Sequence, residues 1–102
     1  MKIETISSEI DTFIFDLDSQ VKARVLRYLE LLEKHEHKLG MPYSKSLHRG
    51  LFELRIVGQK QVRVLYCFHK NKIYLLNIFI KKTNKLSKRE IDLALKRFKL
   101  IA

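Results

Sequence analysis

Arg55 and Arg63 are the residues whose type and spacing point most directly to chemistry. They stand in two strand-like segments, 51–57 and 61–68, which flank the turn Gly58-Gln59-Lys60. A hairpin closed by this three-residue loop puts the two arginines directly opposite each other, although like charges across a ladder are destabilising. We interpret the pair as an anion site, because planar guanidinium groups make paired contacts to phosphate oxygens. The alternative is that Arg55 pairs with an acid such as Glu53 and is an ordinary solvated residue.

The alternation of side chains along strands predicts two contrasting faces for the sheet. The arginine face contains Glu53, Arg55, Arg63, Leu65, Cys67, Asn77, Phe79 and Lys81. We expect it to be open, with Lys81 close enough to help hold the anion. The opposite face is apolar and contains Phe52, Leu54, Ile56, Val62, Val64, Tyr66, Phe68, Tyr74, Leu76, Ile78 and Ile80. Helices must cover this second face.

The rest of the chain supplies the elements that position these residues. Residues 2–6 alternate like a short strand, and two amphipathic helices follow, capped by Ser7 or Ser8 and by Asp18 or Ser19. Gly40 and Pro42 end the second helix near residue 38, and residues 43–50 form a polar connector. A third meander strand covers residues 72–82, and a capping box at 87–90 begins a C-terminal helix. The prediction is one α+β domain, 1–102, with helices packed on an antiparallel sheet.

Positive charge is concentrated in the second part of the chain. Residues 1–44 contain six Lys/Arg and eight Asp/Glu, whereas residues 45–102 contain fifteen Lys/Arg and only three acids. Such asymmetry indicates an anionic partner, and phosphate backbones are the commonest one. Solubility alone would not require this uneven distribution of charge.

Composition also limits the compartment and the cofactors. Cys67 is the only cysteine, so no internal disulfide can form, and no signal-like or membrane-spanning segment is visible. We therefore expect a cytoplasmic protein without a membrane partner. The histidines lack the spacing of a metal site, so neither a metal nor another cofactor is expected.

Three blocks of the sequence resemble one toxin superfamily. LHRGLFELRI (47–56), QVRVLYCF (61–68) and IFIKKTNKLSKREIDLALKRF (78–98) are similar to the HigB-like, phage-related branch of the RelE/ParE toxins. That branch typically reads Leu-x-x-Gly-Leu-Tyr-Glu-Leu-Arg, then Tyr-Arg-Val-Phe-Tyr, then Phe-x-Lys-Lys-Thr before a basic helix. Phe52 stands in the aromatic slot of the first block, and Val62 departs from the aromatic that is usual in the second.

The resemblance implies a fold, an activity and partners. The fold would be RelE-like, with helices on one face of the sheet and a basic concave face opposite. The activity would be ribosome-dependent cleavage of messenger RNA, with no metal required. The partner would be an antitoxin, in this branch usually a helix-turn-helix protein, and operator DNA would be bound only through it.

For RNA cleavage we assign catalytic roles to Arg55, Arg63 and Lys81, which would stabilise the charge of a pentacovalent phosphorane. His48 is a candidate acid or base, with a solvated loop histidine as the alternative. Further candidate RNA contacts are Lys45, Arg49, Phe79, Lys82, Lys85 and Lys88. Phe79 would either stack on a base or pack against the C-terminal helix.

Two other functions remain open at this point. A ParE-like gyrase poison shares the fold but does not need the arginine site. A nucleic-acid-binding module without catalysis would account for the lack of an obvious acid and base. If the three basic residues are catalytic and exposed, their replacement by alanine should remove cleavage and leave folding nearly unaffected.

Overall fold

The computed structural model describes all residues, Met1–Ala102, as a five-stranded sheet with helices on both faces. The strands are β1 (Lys2–Thr5), β2 (Ser44–Ser46), β3 (Phe52–Ile56), β4 (Val62–His69) and β5 (Lys72–Ile80). The helices are α1 (Ser8–Asp16), α2 (Ser19–His35) and α3 (Lys88–Phe98), with a 3₁₀ turn at Glu36–Lys38. The sheet order is β1-β5-β4-β3-β2, and only the β1–β5 pair is parallel. The predicted α+β fold and its meander are confirmed.

The helices α1 and α2 begin at the predicted caps and cover one face of the sheet. Ser7 Oγ accepts a hydrogen bond from the Glu9 amide, and an Asp18 carboxylate oxygen accepts one from the Val21 amide. Each cap satisfies an amide that has no partner within the helix. The apolar stripes of both helices then pack on the sheet in a core of thirteen buried residues: Ile10, Val21, Val25, Leu29, Leu32, Leu54, Ile56, Val62, Val64, Tyr66, Ile73, Leu75 and Ile78.

The prediction was wrong about the first half of β5, because a β-bulge reverses its alternation. Leu65 lies opposite Asn77, but the next residue, Tyr66, lies opposite Leu75, so that Leu76 has no partner in the register. The extra residue moves Leu76 onto the arginine face and leaves Leu75 in the core against α1 and α2. Tyr74 likewise packs on the arginine face rather than on the predicted apolar face.

The sequence predicts an open arginine face, but α3 covers part of it. A second cluster there consists of Leu51, Leu65, Cys67, Leu76, Phe79 and Ala94. Asn77 Nδ2 donates to the backbone carbonyl and the carboxylate of Glu90, at 3.1 Å each. The Glu90 carboxylate thus accepts a hydrogen bond from Asn77, and the Ser87 side chain makes no capping hydrogen bond. The predicted capping box is therefore absent, although α3 begins where it was expected.

Two boundaries differ from the prediction in the region of the site. Residues 44–46, placed in the connector, form edge strand β2 against β3, and Ser44 Oγ lies 2.5 Å from Tyr66 Oη. The sequence of β2 has no apolar alternation that would predict a strand. Its hydrogen-bonded pairing with β3, rather than its local sequence, makes it one. Strand β5 ends at Ile80, so Lys81 and Lys82 begin a loop. None of the helices has the length and apolar character needed to cross a bilayer.

Candidate functional site

Strands β3 and β4 place Arg55 and Arg63 opposite each other, as predicted from the three-residue loop. The two side chains differ in their surroundings. That of Arg55 is 29% exposed, whereas that of Arg63 is only 6% exposed. The expectation that both arginines are exposed is therefore wrong for Arg63, which lies in a cleft formed with residues 81–84 of the loop after β5.

Glu53 lies between the two arginines and pairs with both. Its Oε1 is 3.6 Å from Arg55 Nε, and its Oε2 is 3.5 Å from Arg63 Nε. The Glu53 side chain is buried, and at 3.5 Å the contact to Arg63 is an ion pair rather than a hydrogen bond. The guanidinium of Arg63 makes one hydrogen bond, from Nη1 to the Val62 carbonyl oxygen at 3.2 Å. The alternative pairing of Arg55 with Glu53 is thus present within the arginine cluster itself.

The surroundings of Arg63 lower the pKa of its guanidinium. Burial of the guanidinium is the main cause, Glu53 opposes it, and the neighbouring charge of Arg55 adds to the lowering. Two guanidinium groups and one carboxylate leave a net positive charge in a sheltered place. An anion bound there would relieve the repulsion between the arginines, so the arrangement favours an anionic ligand.

A polar cleft of about 390 Å³ opens beside this cluster. It is lined by Arg55, Gln61, Arg63, Lys81, Lys82, Thr83 and Asn84, and no apolar residue takes part. The Lys81 amide donates to the Gln61 carbonyl oxygen at 2.7 Å, which ties the loop after β5 to the start of β4. The structure thus brings four of the predicted residues together, namely Arg55, Arg63, Lys81 and Lys82.

The other predicted residues do not line the cleft. Lys45 is opposite Glu53 in the register and exposed at the sheet edge, so it shares the face of the arginines. Lys85 and Lys88 are exposed in the loop before α3 and at the first residue of α3. His48 is exposed in the turn before β3, at the end of the strand remote from Arg55, which corresponds to roughly 13 Å of extended chain between Leu51 and Arg55.

One predicted RNA contact requires correction, and another, Arg49, lies outside the cleft. Phe79 is 8% exposed and packs in the cluster under α3, so its ring is not available to stack on a base. Of the two alternatives weighed for Phe79, packing against the C-terminal helix is the one observed. Arg49 lies in the turn before β3 and lines a different pocket, together with residues of α3.

Sequence reasoning missed the uncharged members of the cleft, Gln61, Thr83 and Asn84. Their position offered a signal, because Thr83 and Asn84 directly follow the two lysines and Gln61 directly precedes β4. Amide and hydroxyl groups at these positions can donate to phosphate oxygens or to base edges.

The sequence profile of one family, described as phage-derived protein Gp49-like (DUF891), matches residues 12–99. The chain belongs to this Gp49-like family. The family is part of the RelE/HigB-type toxin grouping. The Gp49-like region begins within α1 and continues through α3, so it includes every residue that lines the cleft. No curated protein matches the chain.

The Gp49-like cleft is equipped to bind an anion and to stabilise its charge. Four cationic side chains converge on it, and no histidine, tyrosine or carboxylate lines it. Glu53 stands behind the arginines as their counter-ion and does not line the cleft. The two lysines are the groups in the cleft that can donate a proton.

Proposed function

We propose that this Gp49-like chain is the toxin of a type II toxin–antitoxin pair and that it cleaves messenger RNA on the ribosome. The observation that carries the proposal is the Arg55–Arg63 pair beside Lys81 and Lys82 in a cleft without apolar residues. Membership of a family within the RelE/HigB-type grouping supports the toxin assignment.

The proposed reaction is an internal transfer at one phosphodiester. The 2′-oxygen of a ribose attacks the adjacent phosphorus, the bond to the 5′-oxygen breaks, and a 2′,3′-cyclic phosphate remains. The intermediate phosphorane carries more negative charge than the diester. Arg55 would stabilise that charge with its Nη groups and Arg63 with Nη2, since Arg63 Nη1 already donates to the Val62 carbonyl oxygen. Such preorganised electrostatic contributions dominate many enzyme rates.

Two protons must also move. The 2′-hydroxyl proton passes to solvent water, because no histidine, tyrosine or carboxylate lines the cleft, and the 5′-oxygen receives a proton from a lysine. Lys81 is suited to protonating the leaving oxygen, because its backbone is fixed by the bond to Gln61. His48 is remote from the cleft along β3, and we do not retain it in the reaction.

The partners follow from the same proposal. An antitoxin encoded with the toxin, of helix-turn-helix type, would neutralise it and would be the only route by which the pair contacts operator DNA. The toxin itself would bind the ribosome and messenger RNA in the cytoplasm.

The test is a reconstituted translation reaction with purified ribosomes, in which the 5′ ends of messenger RNA are mapped. We expect new ends only when the toxin and ribosomes are both present. Arg55→Ala should form them about 10²-fold more slowly, whereas Arg27→Ala, which removes an exposed arginine from α2, should form them at the wild-type rate. Intact messenger RNA with the wild-type chain would refute the proposal.

A second candidate function is a binding module without catalysis, and the lack of a histidine, tyrosine or carboxylate in the cleft favours it. This candidate predicts that the chain binds RNA and ribosomes in the same reaction while all messenger RNA ends stay unchanged. Inhibition of gyrase supercoiling without RNA cleavage would instead indicate the ParE-like activity.

A further inference from the structure

A second pocket, of about 460 Å³, lies where the end of α3 meets the turn before β3. Leu95 and Phe98 provide its apolar floor, and both side chains are half-buried. Arg49, Lys96 and Lys99 are exposed around it. Asp92 and Ala102 complete the lining, so the pocket combines an apolar floor with three cations and one acid. It shares no lining residue with the polar cleft at Arg55 and Arg63.

The backbone of the turn is shaped to bring Gly50, the residue after Arg49, against Phe98. Arg49 has a φ of 59° and Gly50 a φ of 79°, so two successive residues are left-handed. A Cβ at Gly50 would lie 3.3 Å from Phe98 Cε2, which shows how closely the turn approaches the ring. A non-glycine residue in the left-handed region carries a conformational cost, and such costs cluster at functional sites.

We infer that this pocket binds one nucleotide of a single-stranded RNA. The base lies on the floor formed by Leu95 and Phe98, and the flanking phosphates lie against Arg49, Lys96 and Lys99. Single-stranded RNA is commonly held in this way, with unstacked bases on aromatic or guanidinium planes and phosphates on cations. The inference rests on the proposed function only in taking RNA as the ligand.

The charge pattern of α3 connects the pocket with the cleft. Lys88, Lys96 and Lys99 are exposed along the helix, and Asp92 is the one acid in the same stripe. The eleven residues of α3 span roughly 16 Å, so an RNA of a few nucleotides reaches from the loop at Lys82–Lys85 to the pocket. The negative end of the helix dipole lies at the pocket and disfavours anions, so the three cations must outweigh it.

The first test measures RNA affinity by fluorescence anisotropy, using a short single-stranded RNA that spans both sites. Lys96→Ala and Lys99→Ala should each weaken binding about threefold to tenfold. Arg49→Asn should act alike, and asparagine tolerates the left-handed backbone. The control Lys34→Ala removes an exposed lysine from the last turn of α2 and should leave affinity unchanged. Wild-type affinity in all three pocket variants would overturn the inference.

The second test locates the base directly by NMR. The Leu95 methyl and Phe98 ring signals should shift when the RNA is added to the full chain, and they should stay in place with an abasic RNA of the same length. Equal shifts with both RNAs would overturn the base-binding role. Pocket variants that bind RNA normally but lose affinity for the antitoxin would show that the pocket takes an acidic peptide instead.

The two proposals can fail separately. Shifts at Leu95 and Phe98 without any cleavage of ribosome-bound messenger RNA would remove the proposed catalysis and retain the pocket. Cleavage without shifts at Leu95 and Phe98 would remove the base-binding pocket and retain the proposed catalysis.

Discussion

Glu53 determines how the two arginines can be used. A carboxylate with a 5% exposed side chain requires opposite charge nearby, because burial of an unpaired ion costs several kcal/mol. Arg63 is almost as buried and depends on Glu53 in return, whereas Arg55 reaches the cleft with a more exposed side chain. The two arginines should therefore respond differently to substitution, even though both face the same cleft.

Arg55→Ala should separate catalysis from folding. Loss of one preorganised charge donor lowers the cleavage rate about 10²-fold. The free energy of unfolding should change by no more than about 1 kcal/mol, because the Arg55 side chain is partly exposed and Glu53 keeps Arg63 as a partner. Cleavage assays and urea unfolding on the same preparation test both statements. Wild-type cleavage by this variant would remove Arg55 from the mechanism.

Arg63→Ala should lower the free energy of unfolding, whereas replacement of an exposed arginine would leave it nearly unchanged. It leaves the buried Glu53 carboxylate with a single partner at 3.6 Å, so we expect a loss of about 3 kcal/mol in the free energy of unfolding. Arg63→Lys is the better probe of chemistry, because it keeps the charge beside Glu53 and loses only the planar fork. We expect that variant to fold and to cleave roughly 10²-fold more slowly. A fully stable Arg63→Ala protein would contradict the role given to Glu53.

Cys67 should make stability fall in alkaline solution. Burial raises the pKa of this thiol from 9.0 to about 11. The unfolded chain therefore releases the thiol proton at a lower pH than the folded chain, and stability present below pH 9 is lost as the pH rises toward 11. One residue with this shift contributes about 1 kcal/mol of loss near pH 10.

Cys67→Ala provides the comparison. Urea unfolding near pH 7.5 and near pH 10 should show a smaller decline for the variant than for the wild type. Tyr66, whose pKa is also raised by burial, affects both proteins in the same direction and cancels in the difference. An identical decline in the two proteins would mean that the thiol is less buried than the structure places it.

At the scale of elements, one arginine of α2 contacts the turn of the β3–β4 hairpin, in addition to the packing of both in the core. Arg24 Nη1 donates to the Val57 carbonyl oxygen at 3.1 Å, and a Cβ on Gly58 would lie 2.8 Å from Arg24 Nε. Glycine at position 58 thus leaves room for the Arg24 side chain to cross the hairpin. This contact supports the hairpin whose register places Arg55 opposite Arg63.

Gly58→Ala should destabilise the protein when Arg24 is present and stabilise it when Arg24 is replaced by alanine. In the wild type the new methyl group displaces Arg24 from Val57, and we expect a loss of about 1 kcal/mol in the free energy of unfolding. In the Arg24→Ala background nothing remains to be displaced, and the alanine should stabilise by about 0.5 kcal/mol through the lower entropy of the unfolded chain. A double-mutant cycle by urea unfolding measures both values. Equal effects in the two backgrounds would show that Arg24 does not occupy this space.

The elements were predictable where local sequence determines them. The amphipathic stripes and the caps at Ser7 and Asp18 predicted α1 and α2, and the Gly58-Gln59-Lys60 loop predicted the register of β3 and β4. The bulge at Leu76 was not predictable, because an apolar run such as Ile73–Ile80 reads equally well in either alternation. Strand β2 depends on pairing with β3, which is a contact between distant parts of the fold.

The candidate site shows the same division. Parity and the hairpin loop placed Arg55, Arg63 and Lys81 around one point, and the structure brings them together. Phe79 and Arg49 were assigned to the same surface, but docking of α3 buries the first and joins the second to another pocket. The position of a terminal helix on a sheet depends on side-chain packing such as Asn77 with Glu90, which alternation does not reveal.

At the scale of the whole molecule, the positive charge of the second part of the chain forms the surface that we propose binds RNA. Its cations form the cleft and continue through the exposed Lys85 and Lys88 along α3. The acids of α1 and α2 lie on the helices that cover the opposite face of the sheet. An approaching RNA is therefore attracted to the cleft side, and the association should weaken strongly with salt.

The salt dependence of RNA binding can be predicted from the cleft. If Arg55, Arg63, Lys81 and Lys82 each neutralise one phosphate of a single-stranded RNA too short to reach the pocket at Phe98, log K should fall against log salt concentration with a slope of about −3. Arg55→Ala removes one contact and should reduce the steepness by about 0.7, while Arg27→Ala on α2 should leave the slope unchanged. Titrations by fluorescence anisotropy at several salt concentrations give all three slopes. A slope near zero, or the same slope in the wild type and Arg55→Ala, would mean that the cleft is not where the RNA backbone binds.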